Sequence, residues 1–469
     1  MIQFETNIET SLDHIQEIFK RQRMFFNTGA TRSVQYRKTQ LKKLKKALTD
    51  HEAEILAALH KDLGKPAIEA YSSELYTTLH EIDHALKNLN KWSKPKRVST
   101  PLVHFPSKGR IYHEPYGVVT IIAPWNYPVN LLLKPAVGAM AAGNTVILKP
   151  SELAPATASV ICKIVKSIFE EDFMAVVLGE VETTTALLKE KSDYIFFTGS
   201  TAIGKVIMEA ASKHLTPVTL ELGGKSPVII DSNINLANAA RRVIWGKTYN
   251  AGQTCVAPDY LLVHEDIKSA FIDEMRQQLR QQFGGDQQAS HDYGRIVNDR
   301  HFHRIVKMIT GDIVIGGAYD AADKYISTTV IDNVDMEHPA MQEEIFGPVL
   351  PILTYRNIDE AISFVNAGPK PLALYLFSRS KKIQNEVLQR TSSGGVCLND
   401  VIVHIATSTL PFGGVGDSGL GNYHGEASFK TFSHAKSVMK RGLNIDVKVR
   451  YAPYKLRLPQ LKQILKWLG

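Results

Sequence analysis

Residues 250–260 read NAGQTCVAPDY, with a single thiol, Cys255, in the middle of the run. A cysteine is most often a small buried hydrophobe, and it becomes a nucleophile only where its surroundings favour the thiolate. The flanks of Cys255 point toward the second use. Gly252 permits close backbone approach, Pro258 stops a regular strand, and the helical stretch LANAARRVIWGKTYNAG comes before. A thiol on a tight connection brings its sulfur and its own backbone N–H to one point, where that N–H can serve an oxyanion.

Three further stretches offer partners for such a thiol. In LELGGKSP (220–227), Glu221 closes an apolar run just before Gly223 and Gly224. It is either a partly exposed strand-end glutamate or a buried general base whose pKa apolar surroundings raise. In IIAPWNYP (121–128), Asn126 follows an apolar run and a proline. It either caps a turn or donates its amide to an oxyanion at the C-terminal sheet edge, where open α/β sheets bind ligands. In FFTGSTAIGKVI (196–207), an apolar run enters Gly199-Ser200 and then a helical stretch holding Gly204. The G-x4-G spacing is neither the dinucleotide fingerprint nor a P-loop, yet a strand, a glycine turn and a helix N-terminus form an anion site.

The elements that must hold these residues follow from periodicity. Residues 8–60 and 66–92 keep apolar stripes at three- and four-residue spacing, which predicts helices. Residues 97–117 alternate β-branched positions with prolines and predict a protruding hairpin. Short continuous apolar runs then alternate with helical stretches: 118–123, 145–150, 175–179, 194–199 and 217–222, followed by 226–231, 260–265, 312–317, 349–355, 372–378 and 394–399. Runs of this kind are parallel strands covered by helices on both faces. The prediction is an α/β chain with two doubly wound parallel-sheet units, joined near 222–226.

Bulk properties narrow the function. At 469 residues the chain is too long for one core, and 44% hydrophobic with 22% charged residues is an ordinary globular balance. Cys162, Cys255 and Cys397 are far apart, with no CxxC pair and no Cys/His cluster at metal spacing. No metal site and no disulfide framework are expected, and a reducing cytoplasm is. The polar, acidic start MIQFETNIET is not a signal peptide, and no apolar run is long enough to span a membrane. The net charge of +8 is spread out, and LKKLKKAL (41–48) carries leucines at helical spacing, so a solvated helix face is expected there and not a nucleic-acid surface.

Taken together and in order, APWNYP, ILKPSE, FTGSTAIG, LELGGKSP, NAGQTCVAPDY, EEIFGPV and PFGGVGDSGLG resemble the aldehyde dehydrogenase superfamily over nearly the whole chain. QTCVAPDY and GNYHGEASFKTFSH (421–434) look like its class 3 branch of fatty and aromatic aldehyde dehydrogenases. The resemblance implies oxidation of an aldehyde to a carboxylic acid with NAD, and with NADP as a second acceptor. It implies Cys255 as nucleophile, Asn126 and the Cys255 N–H as oxyanion donors, and Glu221 as the base for thioester hydrolysis. It places Lys149 and Glu152 at the adenosine ribose, Gly199, Ser200 and Gly204 at the pyrophosphate, Glu344 and Phe346 at the nicotinamide side, and Tyr127 along the substrate channel. A CoA-acylating or acyl-reducing relative, or a non-catalytic protein on the same fold, is the alternative; an intact Glu221 argues for hydrolysis.

The resemblance also divides the chain. Residues 1–96 and 118–224 would form the cofactor-binding domain and 225–408 the catalytic domain. Residues 97–117 and 409–435 would form a bridging element that builds a homodimer. The tail, 436–469, ends in the basic KLRLPQLKQILKWLG with leucines at helical spacing. The resemblance to the fatty aldehyde branch implies a helix that covers the substrate funnel, and a membrane surface is the other role; docking on its own protein is preferred to membrane contact.

Overall fold

A computed structural model describes residues 9–468. The predicted helix start at residue 8, most of the polar N-terminal stretch, and the ends of the first domain and of the tail at residues 1 and 469 lie outside the described residues.

Up to Trp92 the chain is helical, as its apolar spacing predicts, but it is cut into pieces. Helices span Leu12–Asn27, Val34–Asp50, Glu52–Leu63 and Tyr76–Trp92. The cuts have local causes: Ser11 and Ser33 accept backbone N–H groups as N-caps, and Gly64 ends its helix in the left-handed region.

The strands follow in chain order. First come β1 (Lys96–Val98) and β2 (Lys108–Pro115). Then come β3 (Val118–Ile122), β4 (Thr145–Lys149), β5 (Met174–Val176), β6 (Tyr194–Thr198) and β7 (Val218–Glu221). Next are β8 (Pro227–Ile230), β9 (Tyr260–His264) and β10 (Asp312–Ile315), with a small hairpin of β11 (Tyr319–Asp320) and β12 (Tyr325–Ile326). The last are β13 (Thr329–Asp332), β14 (Val349–Tyr355), β15 (Ala373–Phe377), β16 (Gly395–Leu398), β17 (Gly419–Leu420) and β18 (Ser433–Lys440). Every apolar run picked out between residues 118 and 399 forms a strand.

These strands make two large sheets. One has the order β17-β7-β6-β3-β4-β5, parallel except for the antiparallel edge β17. The other has the order β10-β13-β14-β9-β8-β15-β16, parallel except for β10. Strand β13 was not anticipated: its run is short and follows an irregular, glycine-containing stretch. The central strands are buried on both faces, which is why they read as continuous apolar runs. At roughly 1.5–3 kcal/mol per buried aliphatic side chain, Val119, Ile121 and Leu261 stabilise the largest hydrophobic cluster, and Leu374 belongs to a separate one.

A third, three-stranded sheet, β1-β2-β18, is antiparallel. Its last strand runs to Lys440, past residue 435. The final helix, Leu458–Leu468, lies beside the Leu102–His104 turn, and Leu461, Ile464, Leu465 and Trp467 stay exposed in the single chain. No helix among the described residues is long and apolar enough to cross a membrane.

Candidate active site

Two connections meet at the C-terminal edge of the first sheet. Residues 123–129 leave β3 and turn into the helix Asn130–Ala142. Residues 249–259 lead from the helix Leu236–Thr248 into β9. Asn126 sits on the first connection and Cys255 on the second.

The Cys255 connection is held in an unusual backbone path. Asn250 (φ 53°), Ala251 (φ 51°) and Gly252 (φ 73°) are all left-handed. A side chain at Gly252 would strike the carbonyl oxygen of Gly347, so only glycine fits. A non-glycine residue in this region costs about 1–3 kcal/mol and persists only where its surroundings fix it. Here they do. The Asn250 N–H donates to Glu69 Oε2 at 3.0 Å. The Asn250 amide donates to the carbonyls of Asn126 (2.9 Å) and Gln253 (3.1 Å). The Gln253 amide donates to Asn250 O and Arg295 O, and its Oε1 accepts from the Val297 N–H.

Cys255 emerges from this turn half-buried, while Cys162 and Cys397 are buried in the core. The Cys255 and Val256 backbone N–H groups favour its thiolate. Burial, and after it the carboxylates of Glu344 and Glu221, push the thiol well up from its ordinary range.

Asn126 is buried. Its Nδ2 donates to Gln253 O at 3.0 Å, and its own backbone carbonyl accepts from Asn250 Nδ2 and Lys65 Nζ. An amide nitrogen carries two hydrogens, so the bond to Gln253 O leaves one N–H uncommitted. Tyr127, also buried, bonds its hydroxyl to Thr254 Oγ1 at 2.6 Å and has Lys65 Nζ over its ring at 4.2 Å. It thereby ties the two connections together next to Cys255.

Glu221 ends β7, and its carboxyl is buried with neither oxygen hydrogen-bonded among the described residues. Burial alone holds its pKa well above the usual carboxylate range. The carboxyl of the predicted general base is thus buried rather than a solvated strand end. Glu344 packs on the turn after Glu221, where any side chain at Gly223 would displace it. Its pKa is pushed up to about 8 by burial and by Asp259, opposed by the Gly224 N–H and Lys225. Phe346, in the left-handed region, meets Trp125 edge-on at 5.4 Å. Tyr423, which the sequence did not single out, is buried close enough to Glu221 and Cys255 that both raise its pKa beyond the effect of burial.

The remaining predicted residues lie along the same sheet edge. Lys149 ends β4 buried, its Nζ donating to Pro150 O and standing 3.6 Å from the Glu152 carboxylate. Burial lowers its pKa, against the pull of Glu152. The Gly199 N–H donates to Glu221 O, and Ser200 caps the helix Thr201–Ser212 by accepting from the Ile203 N–H. Gly204 lies against Leu222 so closely that a Cβ would not fit. This brings the helix N-terminus to the ends of β6 and β7, as a dinucleotide's pyrophosphate needs. Oxygens of Glu221, Glu344 and Thr198 are buried without a hydrogen-bond partner among the described residues, and the Glu152 carboxylate is partly exposed beside Lys149, acceptors whose chemistry fits the hydroxyls of a nicotinamide dinucleotide. No group of three His, Cys, Asp or Glu able to hold a metal ion occurs among the described residues.

Sequence reasoning passed over Lys65, Glu69, Glu74, Asn250 and Gln253, the groups that brace the two connections. Only Asn250 and Gln253 gave any signal, as members of the run around Cys255.

Comparison with known proteins places the whole chain. The aldehyde dehydrogenase family model matches residues 7–438. The 4,4'-diaponeurosporen-aldehyde dehydrogenase of Staphylococcus aureus is 48% identical over 455 residues, covering 96% of this chain and 99% of that one. The dimeric NADP-preferring aldehyde dehydrogenase of Mus musculus is 46% identical, covering 96% of this chain and 100% of its own. A structure of the substrate-bound state of Staphylococcus aureus AldH superposes with a TM-score of 0.94 at 47% identity, covering 97% of this chain and 99% of that one. An indole-3-acetaldehyde dehydrogenase structure complexed with NAD+ gives 0.85 at 26% identity, covering 92% and 90%. The chain belongs to the aldehyde dehydrogenase family.

Proposed function

We propose that this chain oxidises an aldehyde to a carboxylic acid with NAD or NADP, through covalent chemistry on Cys255. The observation that carries this reading is that the Asn126 amide is bonded to the turn that bears Cys255 while the unpartnered, buried Glu221 carboxyl acts on the same thiol. The Cys255 thiolate adds to the aldehyde carbon, and the oxygen that becomes negative is held by Asn126 Nδ2 and the Cys255 N–H. Bound in oxidised form, the cofactor supplies the hydride acceptor and a positively charged ring. Loss of hydride leaves a thioester on Sγ. Glu221 then takes a proton from the attacking water, and the acid departs with the thiolate restored.

The cofactor contacts follow the same reading. Lys149 and Glu152 hold the adenosine ribose, Gly199, Ser200 and Gly204 the pyrophosphate, and Glu344 and Phe346 the nicotinamide side. Tyr127 stands along the substrate channel. The class 3 motifs support medium- or long-chain aliphatic or aromatic aldehydes. The domain division is 1–96 with 118–224 for the cofactor, 225–408 for catalysis, and 97–117 with 409–435 for bridging.

A homodimer is supported by the exposed edge strand β18 and by the mouse relative's name. Three free thiols suit a reducing cytoplasm. Cys255→Ser and Cys255→Ala test the reaction: NADH formation from an aldehyde is expected to vanish in both while cofactor affinity is kept. Undiminished NADH formation in either variant would overturn the nucleophile assignment.

A further inference from the structure

Lys65 and Glu74 form an ion pair whose two side chains are entirely buried, with Nζ 2.6 Å from Oε1. Stability does not explain it, since well-packed apolar residues of the same volume generally serve a core as well as a buried pair. What apolar residues cannot reproduce is where the remaining hydrogen bonds go. Lys65 Nζ donates to the backbone carbonyl of Asn126 at 3.0 Å and lies over the Tyr127 ring at 4.2 Å. Glu74 Oε2 accepts from the N–H groups of Val129 (3.1 Å) and Asn130 (2.9 Å), at the start of the helix Asn130–Ala142. That helix has no side-chain cap of its own at Val129, so Glu74 supplies one from a distant part of the chain.

The pair therefore grips the 126–130 connection at both ends. Lys65 fixes the peptide of Asn126, and Glu74 fixes the turn that follows. Asn250 Nδ2 holds the same Asn126 carbonyl from the Cys255 side. The amide of Asn126 can then spend one N–H on Gln253 O and keep the other available to a substrate oxygen.

We propose that Lys65 and Glu74 are positioning residues for the oxyanion amide, acting on the reaction only through Asn126. This rests on the reading of Asn126 as an oxyanion donor, and the test separates the two. Single-turnover hydride transfer is measured for the wild type, Lys65→Met, Asn126→Ala and the double variant, together with cofactor affinity and the rate of Cys255 alkylation. Asn126→Ala is expected to slow hydride transfer about 100-fold or more. Lys65→Met is expected to slow it about 10- to 100-fold, with cofactor affinity and alkylation within about 2-fold of wild type. The double variant is expected to match Asn126→Ala within about 3-fold, because Lys65 has nothing to position once the amide is gone.

Losses that multiply in the double variant, or a wild-type rate in Lys65→Met, overturn the inference alone. A wild-type rate in Asn126→Ala overturns the inference and the reading beneath it. Glu74→Gln keeps the side-chain volume and an acceptor oxygen, and it carries the same cycle if Lys65→Met fails to fold.

Discussion

Asn126 Nδ2 donates to the backbone carbonyl of Gln253, two residues before Cys255. The return contact is made by Asn250, whose amide donates to the Asn126 carbonyl. The proposed nucleophile, Cys255, and the proposed oxyanion donor, Asn126, thus sit on connections registered to each other by two hydrogen bonds, although 129 positions separate them (255 − 126). A side chain that moves one connection moves the other, and small geometric errors at such a site are costly in rate.

Glu221→Gln separates the two halves of the proposed reaction. The glutamine keeps the volume and loses the base. Hydride transfer is expected to persist as a burst of one NADH per site, with turnover slowed about 100-fold or more. Because burial raises the Glu221 pKa, the wild-type hydrolytic step should accelerate as pH rises and the carboxyl ionises. The variant's turnover should lose that rise. Stopped-flow NADH absorbance across pH checks both, and equal loss of burst and turnover would count against a hydrolytic role.

The strands were legible, and the candidate site residues could be picked out, because each leaves a local mark. Continuous apolar runs predicted β3 to β10 and β14 to β16, although β10 pairs antiparallel and not parallel, and glycine turns marked Gly199 and Gly223. What could not be read was the bracing. Lys65 sits in DLGKPAIEAY, where nothing separates a solvated lysine from one sealed against Glu74 and Tyr127. Its burial depends on contacts 61 residues away (126 − 65), and those exist only once the helices pack. The terminal helix is the complementary case. Its amphipathic pattern was visible, but the single chain buries none of its apolar side chains from Leu458 to Trp467.

Glu152 should govern the choice between NAD and NADP. Its carboxylate is a third exposed and held near Lys149, so an incoming 2'-phosphate would meet a negative charge. Glu152→Ala is expected to raise the ratio of kcat/KM for NADP to that for NAD about 10-fold, chiefly through KM. Parallel titrations of both cofactors with one aldehyde measure this. An unchanged ratio would remove Glu152 from the ribose site.

Removal of residues 457–469 tests the tail. If the helix docks on protein over the substrate funnel, truncation should raise KM for long-chain aldehydes and leave that for short ones unchanged. Co-sedimentation with anionic liposomes should be the same with and without the tail. Loss of liposome binding on truncation would instead assign the helix to a membrane surface.

Glu69 offers a pH-dependent test of the turn that carries Cys255. Its Oε2 accepts the Asn250 N–H, and its pKa is pushed up to about 7, by burial above all, against the Asn250 bond and Lys65. An acid whose pKa is raised on folding holds its proton in the native state at pH values where the unfolded chain has released it. Its contribution to stability is therefore complete below about pH 4.5 and is lost as pH rises through about 7. The span from the ordinary value of 4.5 to about 7 corresponds to on the order of 3 kcal/mol. Glu69→Gln cannot ionise, so it should be relatively more stable than wild type as pH rises and should lose this component of the pH slope. Urea midpoints of both proteins between about pH 5 and 8 measure the difference. Parallel curves across that range would show that Glu69 does not titrate there, and that the Asn250 turn is braced independently of its charge.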